Sequence, residues 1–316
     1  MASVAIVLPA LNEELTVETT IRAFSAALPD ARIYVINNHS SDRTAAVAAD
    51  TLHELGNRGA VIDEPRHGKG NAVRRAFRDI EADVYVLCDA DNTYPPDRVK
   101  DLIIPILEDR ADMVVGDRHS GGDYRRENDR PLHNFGNRLL QRTINVLFQA
   151  DLVDIVSGYR AFSRAFVKNY PILVEGFQVE TDMTLHALDK RFRIMEIPVE
   201  YRNRPPGSVS KLSTVSDGAK VIFGIFQILR YYRPLQFFGF LGFFFVIMGL
   251  IAAKPVIDDW VQFRYIYHVP LAILAAALET VAVMMAVVGL ILDSLIHHQK
   301  MEYERCLLNQ TEDRSR

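Results

Sequence analysis

The chain has 316 residues, 36 basic against 40 acidic side chains for a formal net charge of −4, and 49% hydrophobic residues. That is about two domains' worth of chain with enough apolar content for a packed core, which excludes a disordered or collagen-like polymer. The two cysteines stand outside any Cys-x-x-Cys or Cys/His cluster, giving no support to a disulfide framework, structural zinc or redox chemistry, and mild acidity argues against a nucleic-acid partner.

Val4 to Leu8 is a short continuous apolar run, repeated at Ile33 to Ile36, Val84 to Cys88 and Met113 to Val115, and it predicts parallel strands buried on both faces. Between them Thr16 to Leu28, Thr44 to Leu55, Asn71 to Ile80 and Pro96 to Leu107 carry apolar residues at three- and four-residue spacing and predict helices. Repeated βα units predict an α/β fold with a doubly wound sheet. Ligands in such sheets bind beyond the carboxyl ends of the strands, and the polar residues gather there.

Pro9-Ala10-Leu11-Asn12-Glu13 follows the first strand, and Asn37-Asn38-His39-Ser40-Ser41-Asp42-Arg43-Thr44 follows the second. Asp42 is either a ligand-facing carboxylate or an N-cap for the next helix, and the two asparagines either read a base edge or make an Asx turn. His67-Gly68-Lys69-Gly70-Asn71 opens a helix without the upstream glycine and following Ser/Thr of a P-loop. A lysine beside backbone N–H groups suits an anion, although a plain helix-start turn has the same composition. Strand four ends in Cys88-Asp89-Ala90-Asp91-Asn92. Carboxylates at i and i+2 on extended chain point the same way, and such hard oxygen donors suit Mg²⁺ or Mn²⁺ bridging a diphosphate. With 24 Asp in 316 residues, chance alone gives roughly two Asp-x-Asp matches, so the position after a buried strand distinguishes this pair from a solvated turn.

The composition changes beyond Lys211. Leu235 to Ala253 has no charged residue, and at roughly 1.5 Å per residue a helix of that length spans about 28 Å, close to the hydrocarbon thickness of a bilayer. Val269 to Leu292 is a second run interrupted by Glu279, and the pair predicts a transmembrane hairpin with a short polar connection, Lys254 to His268. Lys211, Lys220, Arg230 and Arg233 before the first span and Lys300 and Arg305 after the second predict cytoplasmic ends. Ala2 to Leu8 is too short for a signal-peptide core, which agrees with that orientation. Val215, Ala219, Ile222, Phe226 and Leu229 predict an amphipathic helix on the cytoplasmic leaflet. Three segments follow: a catalytic domain over 1–213, an interfacial helix over 214–234, and a two-span hairpin with a short tail over 235–316.

Seven motifs now occur in order between Leu8 and Ser213: Leu-Pro-Ala-Leu-Asn-Glu, Asn-Asn-His-Ser-Ser-Asp-Arg-Thr, Gly-Lys-Gly, Asp-Ala-Asp, Val-Val-Gly-Asp-Arg, Val-Ser-Gly-Tyr-Arg and Ser-Val-Ser-Lys-Leu-Ser. The succession resembles family 2 glycosyltransferases, and within them the polyprenyl-phosphate branch similar to dolichyl-phosphate mannose synthase. The resemblance implies a GT-A catalytic domain, Rossmann-like with a mostly parallel sheet. It implies a nucleotide site lined by Pro9, Ala10, Asn12, Glu13, Asn38, Asp42, Lys69, Asp89 and Ala90, with Asp89 and Asp91 holding Mg²⁺ or Mn²⁺. Catalytic roles fall on Asp91, Asp154, Arg118 and Arg130. Acceptor binding falls on Arg118, Arg130, Ser157, Arg160, Gln178, Glu180, Arg204, Ser210 and Lys211. The chain departs from the family pattern at Asn37-Asn38, where an acidic pair is common, and at Asn92-Thr93, where Leu-Gln often follows Asp-x-Asp.

The implied reaction is metal-dependent transfer, with inversion, of a sugar from a nucleotide sugar, UDP-linked in preference to GDP-linked, to a polyprenyl phosphate. The implied setting is the bacterial inner (plasma) membrane, in contact with membrane lipids, with a homo-oligomer suggested by anchored relatives. Asp154 is expected to orient arginines rather than to act as a base, because the acceptor phosphate, with a second pKa of about 6, is already an anion near neutrality. Two alternatives stand beside this. A processive polysaccharide synthase is disfavoured by two spans and by the lack of Gln-x-x-Arg-Trp, the only tryptophan being Trp260. A silent membrane adaptor is disfavoured by the intact acidic pair. Glu279, near the middle of the second span, is either a hydrogen-bonded interface residue or part of a subunit contact or acceptor groove.

Overall fold

A computed structural model describes residues 2–56, 59–120, 131–174, 178–201 and 217–315. The chain divides into two compact units, Met1–Gly218 and Ala219–Arg316.

The first unit is built on one seven-stranded sheet in the order β3-β2-β1-β4-β6-β5-β7. The strands are β1 Val4–Ala10, β2 Arg32–Asn37, β3 Gly59–Asp63, β4 Val84–Leu87, β5 Met113–Asp117, β6 Arg160–Ser163 and β7 Ile194–Pro198. β1 pairs in parallel with β2 and β4, β2 with β3, and β5 with β7. Only β6 runs against its neighbours, β4 and β5, among these pairings. The helices are α1 Val17–Ala27, α2 Thr44–Glu54, α3 Lys69–Asp79, α4 Val99–Leu107, α5 Pro131–Phe148, α6 Arg164–Asn169 and α7 Val179–Asp189.

Side-chain alternation along the strands creates the two cores. Ile6, Leu8, Ile33, Val35, Val86 and Val114 face one side, where Ile21 and Phe24 of α1, Leu52 of α2 and Leu102 of α4 pack on them. Ala5, Val7, Ile36, Tyr85, Leu87 and Val115 face the other, against Val73 and Ala76 of α3, Phe166 of α6 and Met183 of α7. Both faces of the central strands are therefore apolar, which is why they appear in the sequence as unbroken hydrophobic runs. The layering is that of a doubly wound sheet, in which ligands bind beyond the carboxyl ends of the strands.

The second unit comprises most of α8 Asp217–Tyr232, then α9 Pro234–Phe263 and α10 Val269–Ser315. Pro234–Phe263 and Val269–Leu308 are the two candidate membrane spans among the described residues. Phe240, Phe243, Leu250, Ile251, Ile273, Val283 and Leu290 all point outward along them, as a lipid-facing hairpin requires. Small residues let the two helices close on each other: a Cβ built on Gly242 would lie 3.2 Å from the Ala282 carbonyl oxygen. Without a hydrophobic drive between helices in lipid, this close van der Waals packing is what holds a hairpin together.

The polar connection expected from Lys254 to His268 is mostly helix. α9 continues to Phe263, supported by the Lys254–Asp258 ion pair one turn apart at 3.1 Å. The reversal is confined to the residues after Phe263, where Arg264 takes a left-handed conformation at φ 53°. Asp259 fixes the turn by accepting the backbone N–H groups of Tyr267 at 2.8 Å and His268 at 3.0 Å.

Candidate functional site

The loops after β1, β2 and β4 each contain a non-glycine residue in the left-handed region: Asn12 at φ 51°, His39 at 61° and Asn92 at 60°. Such conformations are costly for residues with a Cβ and persist where surrounding bonds over-determine them. Those bonds run between the loops. Asn12 donates its backbone N–H to Ser40 Oγ at 3.0 Å and accepts from the Ser41 N–H at 2.8 Å. The Glu13 N–H donates to Thr44 Oγ1 at 2.8 Å, and Glu13 Oε2 accepts from Thr16 Oγ1 at 3.1 Å. Thr16 also donates to the Ala90 carbonyl oxygen at 2.8 Å, tying the first loop to the Asp-Ala-Asp segment.

Asp42 accepts the Thr44 N–H at 2.9 Å and the Glu14 N–H at 3.2 Å, so it both caps the entry to α2 and bridges to the first loop. Burial opposes its ionisation, but the Thr44 and Glu14 hydrogen bonds prevail and hold its pKa below the usual carboxylate value. Asn37 forms the Asx-type turn, accepting the Ser40 N–H at 3.2 Å. Asn38 is buried and uses its amide on the next loop, donating to the Arg66 carbonyl oxygen at 2.6 Å and accepting the Gly68 N–H at 2.8 Å. Its side chain braces the Gly-Lys-Gly turn from behind.

Lys69, the first residue of α3, runs inward and pairs with two carboxylates, Asp89 from the end of β4 and Glu180 from the first turn of α7. Burial disfavours the ammonium, yet the two acids outweigh it and raise the lysine pKa above its ordinary value. The Asp89 side chain is 31% exposed, whereas Asp91 is buried and accepts both the N–H of Thr93 at 3.2 Å and its hydroxyl at 2.6 Å. Thr93, standing where the family pattern often has glutamine, thus binds the second aspartate. Pro9 and Ala10 end β1 beside this segment, with Ala10 in the core. Ala90 is buried between the two acids.

Across β5, Arg118 grips Asp154 in a fork: Nε to Oδ2 at 2.7 Å, Nη2 to Oδ1 at 3.0 Å, with the Arg118 N–H adding a third bond to Oδ2 at 3.2 Å. The pair is 8% and 1% exposed, so it is no surface salt bridge. Burial raises the Asp154 pKa, but the Arg118 charge and hydrogen bonds overcome that and bring it below normal. The guanidinium also lies 5.5 Å from the Tyr201 ring centroid. Glu196 on β7, unremarked in the sequence, fixes the other side of Asp154 by accepting its N–H at 2.7 Å and that of Val153 at 2.8 Å. No spacing signal marks Glu196, because its strand is half-buried and its partner loop is distant in sequence.

Arg160 is fully buried, and its guanidinium holds the Asp-x-x-Ser-Gly turn from beneath. It donates to the carbonyl oxygens of Ser157 and Ile155, both at 2.8 Å, and to Thr184 Oγ1 at 2.9 Å. Ser157 is buried in the same turn, and Gln178 is exposed at the residue before α7. The structure therefore brings together the first, second and fourth strand loops, Lys69, both aspartates and Glu180, with Arg118 and Asp154 at the end of β5. Arg130, Arg204, Ser210 and Lys211 lie outside the described residues.

A doubly wound, mostly parallel sheet with an acidic pair at the end of its central strand is the architecture of a GT-A-like fold. The sequence profile described as Glycosyl transferase family 2 matches residues 5–170. Glycosyltransferase AglJ of Haloferax volcanii is 30% identical over 304 residues, covering 95% of this chain and 96% of that one. Polyprenol monophosphomannose synthase of Mycolicibacterium smegmatis is 26% identical over 66% of this chain and 80% of its own. The glucosyl-3-phosphoglycerate synthase of Mycobacterium tuberculosis with Mn²⁺ and UDP-glucose superimposes with a TM-score of 0.51 at 25% identity, over 72% of this chain and 78% of that one. The chain belongs to glycosyl transferase family 2, and its likeness to the polyprenol enzyme supports the polyprenyl-phosphate branch of that family.

Proposed function

We propose that the protein transfers a sugar from a nucleoside diphosphate sugar, UDP-linked in preference to GDP-linked, to a membrane polyprenyl phosphate. The observation that carries this reading is the meeting of Lys69, Asp89 and Asp91 at the end of β4, in a chain that also contains two helices able to cross a membrane. The names of the relatives support it, one being a polyprenol monophosphomannose synthase and one structural neighbour holding Mn²⁺ with UDP-glucose.

Among the described residues no cluster of three His, Cys, Asp or Glu side chains is arranged to hold a metal. Two hard carboxylate donors nevertheless fit Mg²⁺ or Mn²⁺ when diphosphate oxygens complete the shell, since both ions keep several non-protein ligands. Asp89 and Asp91 would hold the ion, and it would neutralise charge on the departing diphosphate.

The protein's own groups perform the rest. An oxygen of the acceptor phosphate forms a bond to the anomeric carbon as the bond from that carbon to the diphosphate breaks, and attack from the opposite face inverts the centre. Lys69 lies beside Asp89 and can donate to the diphosphate that leaves. Arg118, braced by Asp154, holds the acceptor phosphate in line, and the resemblance to the family assigns acceptor binding also to Arg130, Arg204, Ser210 and Lys211. Asp154 has both oxygens on Arg118 and is 1% exposed, which supports an orienting role over that of a base. The two ends of the chain face the cytoplasm on this reading, and the product is a lipid-linked sugar for later transfer.

The test is release of nucleoside diphosphate by the full-length protein supplied with a panel of nucleotide sugars, polyprenyl phosphate and Mg²⁺ or Mn²⁺. Release that requires the lipid, stops on chelation and returns with either ion supports the proposal. Release that ignores both lipid and metal contradicts it.

A further inference from the structure

The positive charge beside Asp89 belongs to the protein itself. Lys69 Nζ contacts Asp89 Oδ1 and Glu180 Oε1, and the lysine and glutamate side chains are 8% and 7% exposed. The turn at Gly158 closes over the pair: a Cβ there would lie 2.7 Å from Asp89 Oδ2 and 3.0 Å from Lys69 Nζ. Backbone therefore fills the space beside the ion pair, and Tyr94 secures that backbone by accepting the Gly158 N–H at 3.0 Å. A second cation at Asp89 would face Lys69 at short range in a poorly solvated setting, where like charges repel strongly.

We propose that Lys69 is an internal counter-cation that keeps Asp89 closed to a divalent metal until a nucleoside diphosphate draws the lysine away, so that nucleotide and metal load together. The inference rests on the reading of Asp89 and Asp91 as the metal and diphosphate site. An incoming diphosphate brings charge-assisted acceptors for the ammonium and oxygens for the metal. Glu180 stays on the lysine throughout, so only the contact to Asp89 has to be given up. Lys69 is then both a positioning residue for Asp89 and a diphosphate ligand, and a metal ion alone is a poor ligand of the resting protein.

Mn²⁺ binding to the full-length protein in detergent, followed by electron paramagnetic resonance with and without UDP or GDP, tests this without reference to turnover. Lys69→Met is expected to bind Mn²⁺ without nucleotide at least ~10-fold more tightly than wild type, and to gain less from added nucleotide, since Asp89 and Glu180 then lack their internal cation. Lys69→Arg, which keeps the charge, is expected to bind like wild type. Where Lys69→Met does not fold because Asp89 and Glu180 are left unpaired, Lys69→Met/Glu180→Gln is compared with Glu180→Gln and the same gain is expected. Equal nucleotide-free affinity with and without the lysine, in whichever background folds, overturns the inference and leaves the metal-dependent reading standing. Absence of Mn²⁺ binding with either nucleotide overturns that reading, and the inference with it.

Discussion

Burial opposes the ionisation of Asp154, but Arg118 supplies a matched fork that outweighs it and holds the pKa below normal, while Glu196 fixes the backbone behind it. Asp154→Asn should therefore unseat Arg118: transfer falls about 100-fold and the acceptor KM rises. The rate–pH profile should keep the acid limb set by phosphate ionisation at about pH 6. Loss of transfer at every pH with Arg118 unmoved would contradict the orienting role. His186 carries a different pH dependence. Burial among Phe166, Tyr170 and Phe192, helped by Lys190, lowers its pKa to about 4. The unfolded chain protonates near 6.5, so stability from neutral His186 is complete above that value and is lost as pH falls toward 4. Denaturant unfolding of the detergent-solubilised chain should show about 2 kcal/mol less stability at pH 5 than at pH 7 from this group, and His186→Phe should remove that loss. At this scale the acidic pair was legible because it ends a buried run, and Lys69 because glycines flank it. The pairing of Lys69 with Glu180 was not, since nothing local to either residue encodes a contact made by α3 and α7. Asn38 and Arg160 were visible as motif members, but the direction in which each spends its polar atoms depends on loops brought near by the sheet.

The elements that sequence periodicity identifies are those buried on both sides. β1, β2, β4 and β5 are continuous apolar runs, whereas the edge strands β3 and β7 contain no buried residue, being half-buried or exposed along their length, and give no clean period. β6 is only four residues long and opens with Arg160, so no apolar run marks it, and it is the antiparallel member, between β4 and β5, of the mostly parallel sheet that was expected. In the second unit the apolar runs located both candidate spans, but the far end of α9 was hidden because Lys254 and Asp258 look like loop residues until their one-turn spacing is considered. The close contact between α9 and α10 also yields a test. Gly242→Leu meets the Ala282 backbone and should destabilise the hairpin by about 1–3 kcal/mol. Gly239→Leu, on the same helix with nothing within 4 Å, should leave thermal unfolding in detergent unchanged. Equal effects of the two would mean that the helices do not pack through Gly242.

Taken as a molecule, the protein carries a family 2 glycosyltransferase domain and two helices long and apolar enough to cross a membrane in one chain, and on the proposed reading that combination serves a soluble donor and a lipid acceptor. Fold class and family were legible from the order of the motifs, because several of them, after β1, β2, β3 and β4, sit at strand ends and so record the sheet's topology in the sequence. The identity of the sugar was not, since residue spacing gives no geometry for the loops that would select it. Asp89→Asn and Asp91→Asn should each lower transfer by at least ~100-fold while leaving the fold intact, as loss of charge stabilisation at a departing diphosphate does. The most direct measurement of the central claim is the mass of the lipid recovered after polyprenyl phosphate is incubated with the protein, a nucleotide-sugar panel and Mg²⁺. A lipid heavier by one glycosyl residue, its original phosphate retained, is the predicted result. A lipid of unchanged mass with every donor, or one that has gained a sugar phosphate instead, would contradict the account.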